Sequence, residues 1–132
     1  MTDTWDQLSP EDWQEFARAW IAELGGATPI DGQDVRQKVV LMNFTASPKQ
    51  QWQFVKAAVE AARTEDHLAA IAAGPLEHLL AKHGDDYISF VEVEARLSRA
   101  FARSLAGVWR NSMSDDVWSR VQAIQRSVEE QT

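Results

Sequence analysis

Apolar residues recur along this chain at spacings of three and four, separated by polar punctuation. Trp13, Phe16, Ala17, Trp20, Ile21 and Leu24 fall on one face of a helix. Ahead of them, Ser9-Pro10-Glu11-Asp12 supplies an N-cap serine, proline in the first helical position and acids in the first turn. Gly25-Gly26 is a stop signal, so the pattern predicts a helix over 10–24. Ser47-Pro48 repeats the start signal, and Trp52, Val55, Val59 and Ala62 mark the buried stripe of a helix over 48–62. Thr64-Glu65-Asp66 opens another that runs to Ala73.

The remaining segments are read from the same signals. Thr28 to Gly32 is a turn-rich connector. Val35, Val39, Leu41, Met42 and Phe44 fit a helix or a short strand, and Arg36, Gln37 and Lys38 suit a helix face better than strict alternation. Gly74-Pro75 is expected to interrupt the chain, because proline has no amide to donate to the preceding turn. Pro75 would then start a helix through Leu76, Leu79 and Leu80 to His83, with Gly84 ending it. From Asp85-Asp86 a helical run extends through Trp109, with Ser98 as the point where it breaks or kinks. Ser114-Asp115-Asp116 caps a last helix whose inward stripe is Val117, Trp118, Val121, Ile124 and Val128.

These elements define an all-α class of seven or eight helices, in a helical bundle or a short HEAT-like stack of antiparallel pairs. The expected organisation is a single domain over 1–132, with the helix at 10–24 added to a helical core over 34–130.

Composition narrows the function classes. The 132 residues are 45% hydrophobic, ample for a core that needs no metal or disulfide. A net charge of −7, leaning toward the N-terminal half, repels phosphate backbones and anionic lipid, so nucleic acid is disfavoured and a protein partner is expected. Cysteine is absent, which removes thiolate chemistry and cysteine-ligated metals. The opening residues carry neither a basic nor an apolar signal region, and no apolar run is long enough to span a bilayer. A cytoplasmic location is the expectation.

Candidate chemistry is thin. His67, His78 and His83 lie near Glu77, Asp85 and Asp86, but His78 and His83 stand about 140° apart on a helix, which does not suit a metal pair. No metal and no cofactor is expected. Asp85-Asp86, Asp115-Asp116 and Glu11-Asp12 sit at predicted helix starts, where the helix dipole accounts for them. No phosphate loop, dinucleotide fingerprint or nucleophile elbow occurs, so no catalytic residue is assigned and the chain leans away from an enzyme.

The arginines form the clearest pattern. If 88–110 is one helix, Arg96, Arg99, Arg103 and Arg110 share a sector of roughly 60°, opposite Phe90, Leu97, Phe101, Leu105 and Val108. Such a stripe can dock an acidic partner or a phosphate, or be a solvated face with local pairs such as Glu92 with Arg96. Of six tryptophans, Trp13, Trp20, Trp52, Trp109 and Trp118 fall on predicted buried stripes. Trp5 has no stripe of its own and is either a packed N-terminal anchor, the simpler reading, or an exposed binding residue.

The stretch Ala72-Ala73-Gly74-Pro75-Leu76-Glu77-His78-Leu79-Leu80, with His83-Gly84, Val108-Trp109-Arg110 and Asp116-Val117-Trp118, resembles a bacterial family of small helical proteins known only as a domain of unknown function. The similarity covers about residues 40–125 and leaves the N-terminal helix outside. It implies a helical bacterial protein and supplies no activity. Within it, Glu77 and Arg110 are candidates for a polar contact on which the fold or a site depends.

The resulting expectation is a protein-binding module, of which an immunity protein, an antitoxin or another inhibitor is the concrete form, since small acidic proteins are steered onto basic targets. Two alternatives are an enzyme or ligand-binding domain built on Glu77, His78, His83 and Arg110, and a homo-oligomeric subunit joined through Trp5. The oligomeric state is not written in the sequence.

Overall fold

In the computed structural model, residues 4–26 and 35–130 are described. Among the described residues a short helical turn over Thr4–Gln7 precedes seven α-helices: α1 Pro10–Leu24, α2 Val35–Thr45, α3 Pro48–Ala61, α4 Glu65–Ile71, α5 Glu77–Leu97, α6 Arg99–Ser104 and α7 Asp115–Glu130. The fold is all-α, and no strand occurs among the described residues. The predicted connector at Thr28 to Gly32 lies outside them.

Local chemistry fixes the starts. Ser9 and Ser47 each accept a bond from the backbone amide three residues on, and Asp12 and Gln50 reach back to the serine amides. Two reciprocal capping boxes, each followed by proline, therefore open α1 and α3. Thr64, Ser98 and Ser114 cap α4, α6 and α7 in the same way through their hydroxyls. The segment that fitted either helix or strand is the helix α2.

Three predicted boundaries are corrected. Gly74-Pro75 does not interrupt the chain. Helical backbone angles continue from Ile71 to Glu77, and the turn over Ala72–Leu76 is widened, with the Glu77 amide donating to the Ala72 carbonyl five residues back. One extra residue in the turn moves the carbonyl that the Pro75 ring would strike, so α4 passes into α5 without a stop. Gly84 is no terminus either: the chain kinks at His83 (φ −130°, ψ 21°) and α5 continues to Leu97. The run expected to reach Trp109 breaks at Ser98 (φ −132°, ψ 116°), where the sequence places a break or kink, but after restarting as α6 it closes with a tight turn over Leu105–Gly107 and does not reach Trp109.

α1 packs on α3 and α5 on α7; α6 bridges the pairs through α3, α5 and α7, and α4 packs on α3 and α6. At the first pair, Phe54 is fully buried and meets Phe16 at 4.9 Å, Trp20 at 5.6 Å and Trp13 edge-on at 6.5 Å. Trp5 is buried there, stacked on Phe16 at 5.8 Å, and its indole N–H donates to Thr45 Oγ1 at 2.7 Å. At the second pair Ile88, Val91, Val117 and Val121 are buried. A side chain at Gly84 would stand 2.9 Å from Val117 Cγ1, so this glycine sets how closely α5 and α7 approach. Trp5, Trp13, Trp20, Phe54, Ile88, Val91, Val117 and Val121 belong to one buried cluster, with Phe16 packed against it.

Candidate functional site

The widened turn delivers Glu77 to the start of α5, where it is buried. Its carboxylate accepts bonds from the Asn111 side-chain amide and from the Trp109 backbone amide. Burial pushes the Glu77 carboxyl above its ordinary value of 4.5, while the two donors pull the other way. Asn111 stands in the left-handed region at φ 47°, a conformation that asparagine tolerates better than most residues.

Glu77 thus pins the loop 108–114 between the tight turn and α7. Val108 and Met113 sink into the core on either side. Gln125 Nε2 donates to the Leu105 carbonyl at 2.9 Å and to the Val108 carbonyl at 3.2 Å, and Ser114 Oγ donates to Asp85 at 2.9 Å. Between these anchors, Trp109 is 74% exposed. The prediction that Trp109 lies on a buried stripe fails because α6 ends five residues before it, so helical periodicity no longer decides where the side chain points. Trp118 is only partly buried.

The remaining predicted site residues separate. Arg110 pairs with Asp115, not with Glu77. Arg103, on α6, pairs with Glu65 at the start of α4. The single arginine stripe is therefore corrected: the break at Ser98 puts Arg96 on α5, Arg99 and Arg103 on α6, and Arg110 in the loop. Glu92 binds Arg120 through Nε at 2.9 Å and makes no bonded pair with Arg96; the Arg120 bond chiefly, with the Arg120 and Arg96 charges, holds the Glu92 carboxyl below its ordinary value. Phe90 and Leu97 do not form a buried backing to the stripe; with Val93 they lie exposed along one face of α5. Trp5 is an anchor and lies in the core.

Nor do the histidines join Glu77. His78 turns toward α2, its ring edge-on to Phe44 at 4.8 Å, while Lys82 Nζ lies 5.2 Å from the centre of the Phe44 ring. Burial, then the Lys82 charge, lowers the His78 pKa below 6.5. His67 Nδ1 accepts the Arg63 amide at 2.9 Å. His83 marks the kink. Among the described residues no three His, Asp or Glu side chains gather as metal ligands.

Fold and site together define an all-α chain that holds a polar-pinned loop against its core and displays a tryptophan from it. The model of a family of unknown function, DUF6869, matches residues 32–128, and the chain belongs to that family. The match takes in the widened turn, Glu77 and the loop 108–114, and leaves Trp5 and α1 outside. No curated protein and no solved structure shows a significant match to the chain.

Asn111 and the exposed Trp109 are the site residues that the sequence reading missed. An asparagine three residues ahead of the Ser114 N-cap is a turn signal, but nothing local names Glu77, thirty-four residues earlier, as its partner.

Proposed function

We propose that this chain is a protein-binding module whose principal contact centres on Trp109. The observation that carries this reading is a large aromatic, 74% exposed, on a loop fastened by Glu77, Gln125 and two buried side chains. Tryptophan is among the residues that most often dominate binding energy, and a prepositioned loop loses little conformational freedom on docking. The neighbouring loop residue, Arg110, adds a cation half shielded by Asp115. The net charge of −7 supports a role like that of small acidic inhibitors, immunity proteins or antitoxins, which approach targets through their electric field.

The test is affinity capture from the host's lysate with the tagged chain and with Trp109→Ala, eluted stepwise with salt and read by mass spectrometry. One stoichiometric protein recovered by the parent chain and lost with Trp109→Ala is the expected result. Equal recovery by both, or no protein recovered by either, overturns the assignment to Trp109.

A further inference from the structure

The helix break at Ser98 has an effect beyond splitting the arginine stripe. Arg96 in the last turn of α5 and Arg99 in the first turn of α6 both face a groove of about 580 Å³ bounded by α5, α6 and α7. Arg120 lines the same groove, but its guanidinium is committed to Glu92, to Asp116 at 3.3 Å and to Ser89 at 3.2 Å. That commitment bonds Glu92 to Arg120, so Glu92 is left to Arg96 only as a nearby unbonded charge. Among the described residues Arg96 and Arg99 have neither an ion pair nor a hydrogen bond. The floor between them is apolar, with Ala102, Ile124 and Val128.

We infer that this groove binds an acidic, amphipathic peptide segment of a partner protein, with carboxylates on Arg96 and Arg99 and aliphatic side chains on the Ala102–Ile124–Val128 floor. Guanidinium groups pair with carboxylates through two parallel bonds, so two arginines whose N–H groups have no bonded acceptor favour an anionic guest. The floor gives a free inorganic anion nothing to contact, whereas it removes the apolar side of a helix or strand from water. A long nucleic acid carries its charge far beyond the groove and meets the repulsion of the −7 chain. A short segment feels chiefly the charges within a screening length of about 8 Å. The inference rests on the reading of the chain as a protein-binding module, but not on Trp109.

The test uses the full chain, labelled with ¹⁵N and titrated with a synthetic helical peptide that carries glutamates along one face and leucines along the other. A control peptide has lysine in place of every glutamate. Expected are shifts confined to residues 95–102 and 120–128, including the Arg96 and Arg99 side-chain N–H signals. Arg96→Gln with Arg99→Gln should weaken binding about tenfold or more, as loss of charge-assisted bonds does. Both residues are exposed and make no bonded ion pair, and the Arg96 charge acts on Glu92 only through solvent-screened distance, so thermal unfolding of the double variant should match that of the parent.

Trp109→Ala should leave this binding unchanged, so failure at the groove and failure at the loop are read separately. Any of four results overturns the inference. These are no shifts up to about 1 mM peptide, the weak end of specific association, equal binding of the lysine peptide, the same shifts from inorganic phosphate alone, or concentration-dependent shifts without peptide, which would mark a second copy of the chain as the occupant.

Discussion

Glu77 carries a negative charge where water is scarce, and its two donors determine what each replacement does. Glu77→Ala leaves the Asn111 amide and the Trp109 N–H without an acceptor, an expected loss of about 2 kcal/mol in urea unfolding. Glu77→Gln keeps an acceptor oxygen and removes the titration. Because burial raises the folded-state pKa above 4.5, the native chain holds this proton more tightly than the unfolded chain does. Its contribution is fully present below 4.5 and is lost as pH rises through the raised value; in Glu77→Gln that part of the pH profile should be flat. Asn111 separates two roles: Asn111→Gly keeps the left-handed backbone and loses only the bond, whereas Asn111→Ala adds backbone strain and should be the less stable by about 1 kcal/mol. The sequence marks Glu77 as unusual through its motif, but it pairs it with Arg110, the wrong neighbour by one residue. A turn's handedness decides which of two adjacent side chains points inward, and spacing alone does not encode that.

At the scale of elements, the starts were legible and the supposed stops were not. Ser9-Pro10 and Ser47-Pro48 act through bonds closed within four residues, so a local reading recovers α1 and α3 almost to the residue. Gly74-Pro75 and Gly84 read as terminators because glycine and proline are poor helix formers, yet a widened turn carries the chain through the first and tertiary packing governs the second. Gly84 is small because Val117 occupies the space beside it. Replacing it with alanine improves helix propensity and nevertheless should destabilise the chain by about 1–2 kcal/mol through overpacking of α5 against α7. Val117→Ala in the same chain should recover most of that loss, and a double-mutant cycle in thermal unfolding measures the coupling. Little or no coupling would mean that Gly84 answers to something other than α7.

Across the whole molecule, the all-α class followed from periodicity, while the partner did not, because an interface is complementary to atoms that lie in another chain. Trp109 makes the same point: periodicity assigned it inward, and only the full path of α6, the tight turn and α7 puts it outside. The N-terminal helix lies beyond the family match yet supplies much of the aromatic core through Trp13, Phe16 and Trp20 on Phe54. Phe54→Ala therefore should cost about 3–5 kcal/mol and loosen α1 as a unit. Tryptophan fluorescence and circular dichroism should then lose their common unfolding midpoint, with the fluorescence change coming first.

The widened turn at Ala72–Leu76 also acts as a phase setter. An α-helix advances about 100° per residue, so one added residue fixes the angle at which everything after it faces. Deleting Gly74 together with Pro75→Ala, which removes the ring that an ordinary turn would strike, would restore an ordinary helix from α4 into α5 and would rotate Glu77 by about that angle away from the loop it holds. The chain would keep its helices and lose their bearing on one another, and Trp109 would be released without any change to its own segment.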